Sequence, residues 1–67
     1  MIDVTVNGEP RRLDSGTTVA ALLTQMALAG KRVAVERNGE IVPKGRHADT
    51  VIAAGDTLEI VAAVGGG

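Results

Sequence analysis

The stretch "TTVAALLTQMALAG", residues 17–30, decides the fold, because it alone carries helical spacing in a chain otherwise made of alternating segments. Val19, Leu22, Leu23, Met26 and Ala27 fall at i, i+3, i+4, i+7 and i+8, which gathers them on one apolar face. Thr17 or Thr18 can cap the N-terminus with its side-chain oxygen. Gly30 is placed to close the helix in the left-handed conformation, with Lys31 and Arg32 near its negative end. Ala21 stands three positions after Thr18, so a full capping box is absent. Leu28 sits off the stripe.

Outward from the helix, both flanks read as strands joined by Asn-Gly. On the N-terminal side "MIDVTVNG" alternates, with Ile2, Val4 and Val6 on one face and Asp3, Thr5 and Asn7 on the other. Asn7-Gly8 is a hairpin signal, since both central residues of a type I′ turn need positive φ. Pro10 in the return segment has no N–H to donate, which assigns that strand to an edge, with Leu13 as its inward residue. On the C-terminal side "RVAVERNGEIVP" repeats the pattern around Asn38-Gly39, with Val33 and Val35 on one face and Pro43 ending the return of Ile41 and Val42. "KGRHAD" is a polar connection, residues 50–52 form a short extended piece, and "TLEIVAAV" is the last strand. In it Leu58 and Ile60 point inward; Thr57, Glu59 and Val61 point outward and form either a docking patch or a plain solvated face. A hairpin, one helix and two or three more strands make an α+β fold, a mixed sheet with one face covered by the helix. The first and last strands are expected as parallel central neighbours.

Composition narrows the function. A chain of 67 residues holds one small core and no separate substrate domain. It has no Phe, Trp or Tyr, so it lacks the rings on which single-stranded bases stack. A net charge of −1 attracts neither a phosphate backbone nor an anionic membrane. No apolar run approaches the roughly 20 residues that span a bilayer. "MIDVTV" lacks the charged start and apolar stretch of a signal peptide. The absence of cysteine removes any thiol nucleophile or disulfide and is compatible with a cytoplasmic location.

Catalytic constellations are equally sparse. Asp14 and Ser15 precede the helix, while Asp49, Asp56 and Glu59 lie in the C-terminal third, with no spacing that defines a carboxylate dyad. His47 on its polar loop reads as a solvated residue rather than a general base. "DSGTT" offers one glycine, too few for a phosphate loop. Arg11, Arg12, Lys31, Arg32 and Arg37 are scattered as on an ordinary soluble surface.

The tail differs. Residues 1–61 read as the folded domain and residues 62–67, Ala62, Ala63, Val64, Gly65, Gly66 and Gly67, as a flexible tail ending in Gly-Gly. Extended chain spans at most about 3.3–3.6 Å per residue, so this tail reaches roughly 20 Å beyond the fold. Glycines pass through a slot too narrow for other residues. A terminal carboxylate, with a pKa near 3.5, is ionised at neutral pH. A partner that neutralises phosphate charge would let it attack ATP, giving an acyl-adenylate open to sulfur, nitrogen or oxygen nucleophiles.

The chain as a whole resembles the ThiS family of sulfur carrier proteins, within the ubiquitin-like β-grasp superfamily. The likeness rests on total length and on "VNGEP", "TTVAALL", "VAVERNGEIVP", "AGDTLEIV" and the closing "AVGGG", in that order. The resemblance implies a β-grasp fold, with a mixed four- to five-stranded sheet packed on one helix. It implies that a ThiF-like adenylyltransferase, using ATP and Mg, adenylates the Gly67 carboxylate. A sulfur donor enzyme with a cysteine-derived persulfide then converts it to a thiocarboxylate. A ThiG-like thiazole synthase takes that sulfur for the thiazole of thiamine. The protein itself would be a co-substrate, binding no cofactor or metal. Residues 62–66 would enter the partner's active site. Family members often carry an aromatic where this chain has His47. Two alternatives share part of this chemistry, a carrier for molybdopterin or cysteine synthesis and a ubiquitin-like modifier joined to lysines; a third, a binding module with an idle tail, shares none of it. Molybdopterin carriers tend to have prolines before their terminal glycines, and "AAVGGG" has none.

Overall fold

The computed structural model describes residues 1–62. Its elements in chain order are β1 (Ile2–Val6), β2 (Glu9–Leu13), α1 (Val19–Gln25), β3 (Val33–Arg37), β4 (Glu40–Val42), a 3₁₀ turn (Lys44–Arg46) and β5 (Thr57–Ala62). The five strands form one sheet in the order β2-β1-β5-β3-β4. β1 and β5 run parallel as central neighbours, and the other pairs are antiparallel. Both hairpins turn as their sequences require: Asn7 and Gly8 have φ of 52° and 81°, Asn38 and Gly39 of 52° and 86°. β2, with Pro10 opposite Thr5, is an edge strand. Three strands follow the helix. Residues 50–52 add only an isolated bridge, between Val51 and Thr18.

The core is entirely aliphatic. Val4 and Val6 of β1, Leu13 of β2, Val35 of β3, Val42 of β4 and Leu58 and Ile60 of β5 face Val19, Leu22 and Leu23 of α1, with Ile52 closing one end. Each such side chain contributes about 1.5–3 kcal/mol by leaving water.

The helix begins at Thr18, whose Oγ1 accepts the Ala21 N–H at 3.1 Å. The other first-turn donors find partners on the β4–β5 connection: Val19 N–H donates to the Thr50 carbonyl and Ala20 N–H to that of His47. Tertiary carbonyls thus satisfy first-turn N–H groups that the Thr18 side chain does not reach. Thr17 is buried and donates its hydroxyl to the Asp14 carbonyl at 2.7 Å.

The helix ends earlier than Gly30. Its last residue is Gln25, Met26 is the cap, and Ala27 takes the left-handed conformation at φ 60°. Ala27 N–H donates to the Thr24 carbonyl and Leu28 N–H to that of Leu23, the paired bonds of a Schellman ending. This explains Leu28: lying off the helical stripe, it follows the reversal and packs back against the core. Gly30, with φ 79°, serves the following turn instead.

His47 also departs from expectation. It is buried at 8% exposure, and its Nε2 lies 3.0 Å from the Val42 carbonyl. The 3₁₀ turn folds the connection back over β4, which carries the ring out of water.

Candidate functional site

The structural base of the tail is β5. It runs one residue beyond the expected domain boundary, because Ala62 pairs with Val33 at the start of β3. Of the residues proposed to enter a partner, Ala62 is therefore the end of a strand. Ala63, Val64, Gly65, Gly66 and Gly67 lie outside the described residues.

Both Asn-Gly turns grip β5, one from each flank. Asn38 donates its backbone N–H to the Thr57 carbonyl at 2.8 Å, and its Oδ1 accepts the Thr57 N–H at 2.9 Å. Asn7 donates its N–H to the Leu58 carbonyl at 2.9 Å. Its side chain reaches two residues further. Oδ1 accepts the Ile60 N–H at 2.7 Å, and Nδ2 donates to the Ile60 carbonyl at 3.1 Å.

The start of β5 is held by charge as well. The Asp56 carboxylate is buried and accepts from Arg37 Nε at 2.7 Å, Asn38 Nδ2 at 3.0 Å and Ala53 N–H at 2.9 Å. Burial alone would raise its pKa. The Ala53, Asn38 and Arg37 donors and the guanidinium charge outweigh that, so the pKa lies below the usual carboxylate value. In sequence, Asp56 reads only as one of several scattered carboxylates and the two asparagines only as hairpin formers. No local signal distinguishes these roles, because every partner except Ala53 lies far away along the chain.

The residues of the candidate patch lie on the outer face of the sheet, away from the helix. Thr57, Glu59 and Val61 are all exposed, Val61 at 58%. β3 sets Ala34 opposite Val61 and Glu36 opposite Glu59, and Ile41 of β4, 62% exposed, stands opposite Glu36. Two carboxylates directly opposed across strands repel one another. Among the described residues the only ion pairs join Arg12 to Asp3 and Arg37 to Asp56. The face therefore presents apolar side chains around an acidic pair without a cation partner among them.

The remaining candidates carry no chemistry together. A shallow pocket of about 210 Å³, lined in part by Arg37, Ile41, Pro43, Arg46 and Thr50, lies towards the start of β5, away from Ala62. Among the described residues no three of His, Cys, Asp and Glu are grouped to hold a metal ion, and no helix is long and apolar enough to cross a membrane. Asp14 and Asp49 are exposed, and among the described residues neither forms an ion pair.

The ThiS family model matches residues 4–67. A thiazole synthase of Paramagnetospirillum magneticum is 50% identical over 62 residues, 92% of this chain but 19% of that protein. This chain thus spans about a fifth of that relative's length. The sulfur carrier protein ThiS of Bacillus subtilis is 44% identical over 54 residues, covering 81% of this chain and 80% of that one. The crystal structure of a thiamine biosynthesis protein, ThiS, from Geobacter metallireducens superposes with a TM-score of 0.84 at 33% identity, over 98% of this chain and all of that one. The five-stranded sheet on one helix is the β-grasp arrangement of these ThiS neighbours.

Proposed function

The chain belongs to the ThiS family, and from that premise we propose that it is a sulfur carrier protein of thiamine biosynthesis, a co-substrate rather than a catalyst. The reacting group is the carboxylate of Gly67. In the first step a carboxylate oxygen attacks the α-phosphorus of ATP on a ThiF-like adenylyltransferase, which holds the Mg, and pyrophosphate leaves. In the second, the terminal sulfur of a cysteine-derived persulfide attacks the acyl carbon and AMP leaves. A thiol then attacks the cysteine sulfur of this acyl disulfide, the S–S bond that came with the persulfide breaks, the cysteine leaves as a disulfide with that thiol, and Gly67 keeps a thiocarboxylate. That sulfur passes to a ThiG-like thiazole synthase. We place these reactions in the cytoplasm, where ATP is at hand.

One observation carries the reading: the family match runs through the terminal glycines to residue 67. The body's part is to anchor that terminus. Paired to β1 and β3, β5 is a firm base, and Gly65, Gly66 and Gly67 offer a stem with no side chains. The likeness to part of a thiazole synthase supports the choice of acceptor.

The reading needs a free carboxylate on Gly67, which the intact mass of the natural protein checks. Incubation with a ThiF-like enzyme, ATP, Mg and a persulfide source should then replace one oxygen by sulfur in the intact mass. An unchanged mass, where the Bacillus subtilis relative is converted, refutes it. A conjugate to another protein's lysine would assign the chain to the modifiers instead. Removing Gly66 and Gly67 should abolish conversion while leaving the unfolding midpoint in place, since chain ends contribute little to stability.

A further inference from the structure

We infer that Asn7 is a positioning residue for the C-terminal tail, fixing through Ile60 the direction in which β5 delivers it. The inference rests on the proposed carrier function for its purpose, and on described residues for its geometry.

Strand pairing between β1 and β5 covers only Thr5 with Thr57 and Val6 with Leu58. Past Val6 the chain turns away into β2. Successive residues of a central strand direct their N–H and C=O to alternate flanks. Leu58 bonds the Asn7 backbone, so Ile60, two residues on, points both its groups to the same flank. No strand remains there to meet them. The Asn7 carboxamide takes the place of the missing peptide group, accepting from the Ile60 N–H at 2.7 Å and donating to its carbonyl at 3.1 Å. Without it, two backbone groups near the end of β5 lose their protein partners.

The residue type fits this task better than it fits the turn alone. At φ 52° the turn accepts Asn, Asp or Gly. Only Asn both donates and accepts. Asn38 shows the contrast. It occupies the same turn position, yet its Nδ2 goes to the Asp56 carboxylate and its Oδ1 to Thr57, at the start of β5. The Asn7 grip alone adjoins Val61 and Ala62, which are otherwise held by Ala34 and Val33 of β3. One-sided pairing lets a strand end swing about that single neighbour; the grip at Ile60 restrains the swing just before the tail begins.

The test compares Asn7→Gly with Asn38→Gly in the full chain. Both variants keep residues that tolerate positive φ, and both remove side-chain bonds to β5. With the carrier as varied substrate of the adenylyltransferase, N7G should lower kcat about tenfold and leave KM within twofold, because the body still docks. N38G, which loosens the far end of β5 and the Asp56 cluster, should leave kcat within twofold. An unchanged kcat in N7G, or an equal loss in N38G, overturns the inference. A second readout needs no enzyme: backbone amide dipolar couplings of Val61 and Ala62 in the isolated protein should change in N7G while those of Leu58 hold. Unchanged couplings overturn the inference. A wild-type chain that is never adenylated refutes the carrier function, and the couplings still judge Asn7.

Discussion

Replacing Ala27 by glycine should make this protein more stable, although glycine lowers stability at most helical positions. Ala27 is held at φ 60° by the Schellman bonds that end α1. An L residue in the left-handed region costs roughly 1–2 kcal/mol relative to the right-handed one. Glycine removes that cost but gives the unfolded chain more freedom, a loss of about 0.5–1 kcal/mol. The Ala27 methyl is exposed, so no packing is forfeited. The net gain is about 0.7 kcal/mol, which for a domain of this size raises Tm by roughly 3–6 °C. Gly30→Ala is the mirror experiment. Gly30 has φ 79° and an added Cβ would meet no atom within 4 Å, so the penalty there is purely conformational. That variant should lose about 1 kcal/mol. With no aromatic residue in the chain, fluorescence offers no signal, and urea titration followed by far-UV circular dichroism is the assay. The two midpoints should move in opposite directions at constant m. A lower midpoint for A27G refutes the assignment of the helix ending, and no change for G30A refutes the left-handed turn at Gly30.

The Asp56 cluster predicts a pH dependence. Its folded pKa is depressed, so the stabilisation is full above the unfolded carboxylate value and is lost as pH falls through the lowered folded value. Asp56→Asn should flatten the acid side of a plot of urea midpoint against pH, and Asp56→Ala, which strands three donors, should cost about 3 kcal/mol at neutral pH. Glu59→Gln should stabilise by about 0.3 kcal/mol at low salt by relieving Glu36. In 1 M salt, where screening acts within about 3 Å, the gain should vanish; a gain that persists points to packing instead. His47→Ala should lose about 2 kcal/mol through the Val42 bond and the vacated volume, with adenylation per folded molecule unchanged. A fall in that rate would give His47 a part in partner contact.

What was legible in the sequence is local in origin. Alternation assigns Val4, Val6, Leu58 and Ile60 to one face, and the positive φ of Asn-Gly assigns both hairpins, because backbone sterics decide each within a few residues. Pro10 reveals an edge for the same reason. The misreadings share a different origin. The end of α1 depends on Leu28 finding the core, which a tertiary contact settles. Burial of His47 depends on a 3₁₀ turn folding back on β4. The bonds from Asn7 to Ile60 join residues 53 apart in sequence, and no pattern of neighbours encodes them.

The distribution of those long-range polar contacts bears on how so small a body would serve the proposed carrier role. A chain of this length has about 3–10 kcal/mol of net stability, so a few hydrogen bonds are a sizeable share of it. Asn7, Asn38 and Asp56 direct theirs to β5 or its threshold, whereas the helix leans on backbone carbonyls and aliphatic packing. A carrier must present one terminus to successive partners without its own fold yielding when that terminus is drawn into a slot. Aliphatic packing is broad and non-directional, and it tolerates sliding. Hydrogen bonds at 2.7–3.1 Å to defined atoms of Ile60 do not. Concentrating directional contacts on the strand that would bear the proposed reacting end therefore keeps its register under load, and lets the rest of a minimal, largely aliphatic core remain as simple as its sequence is.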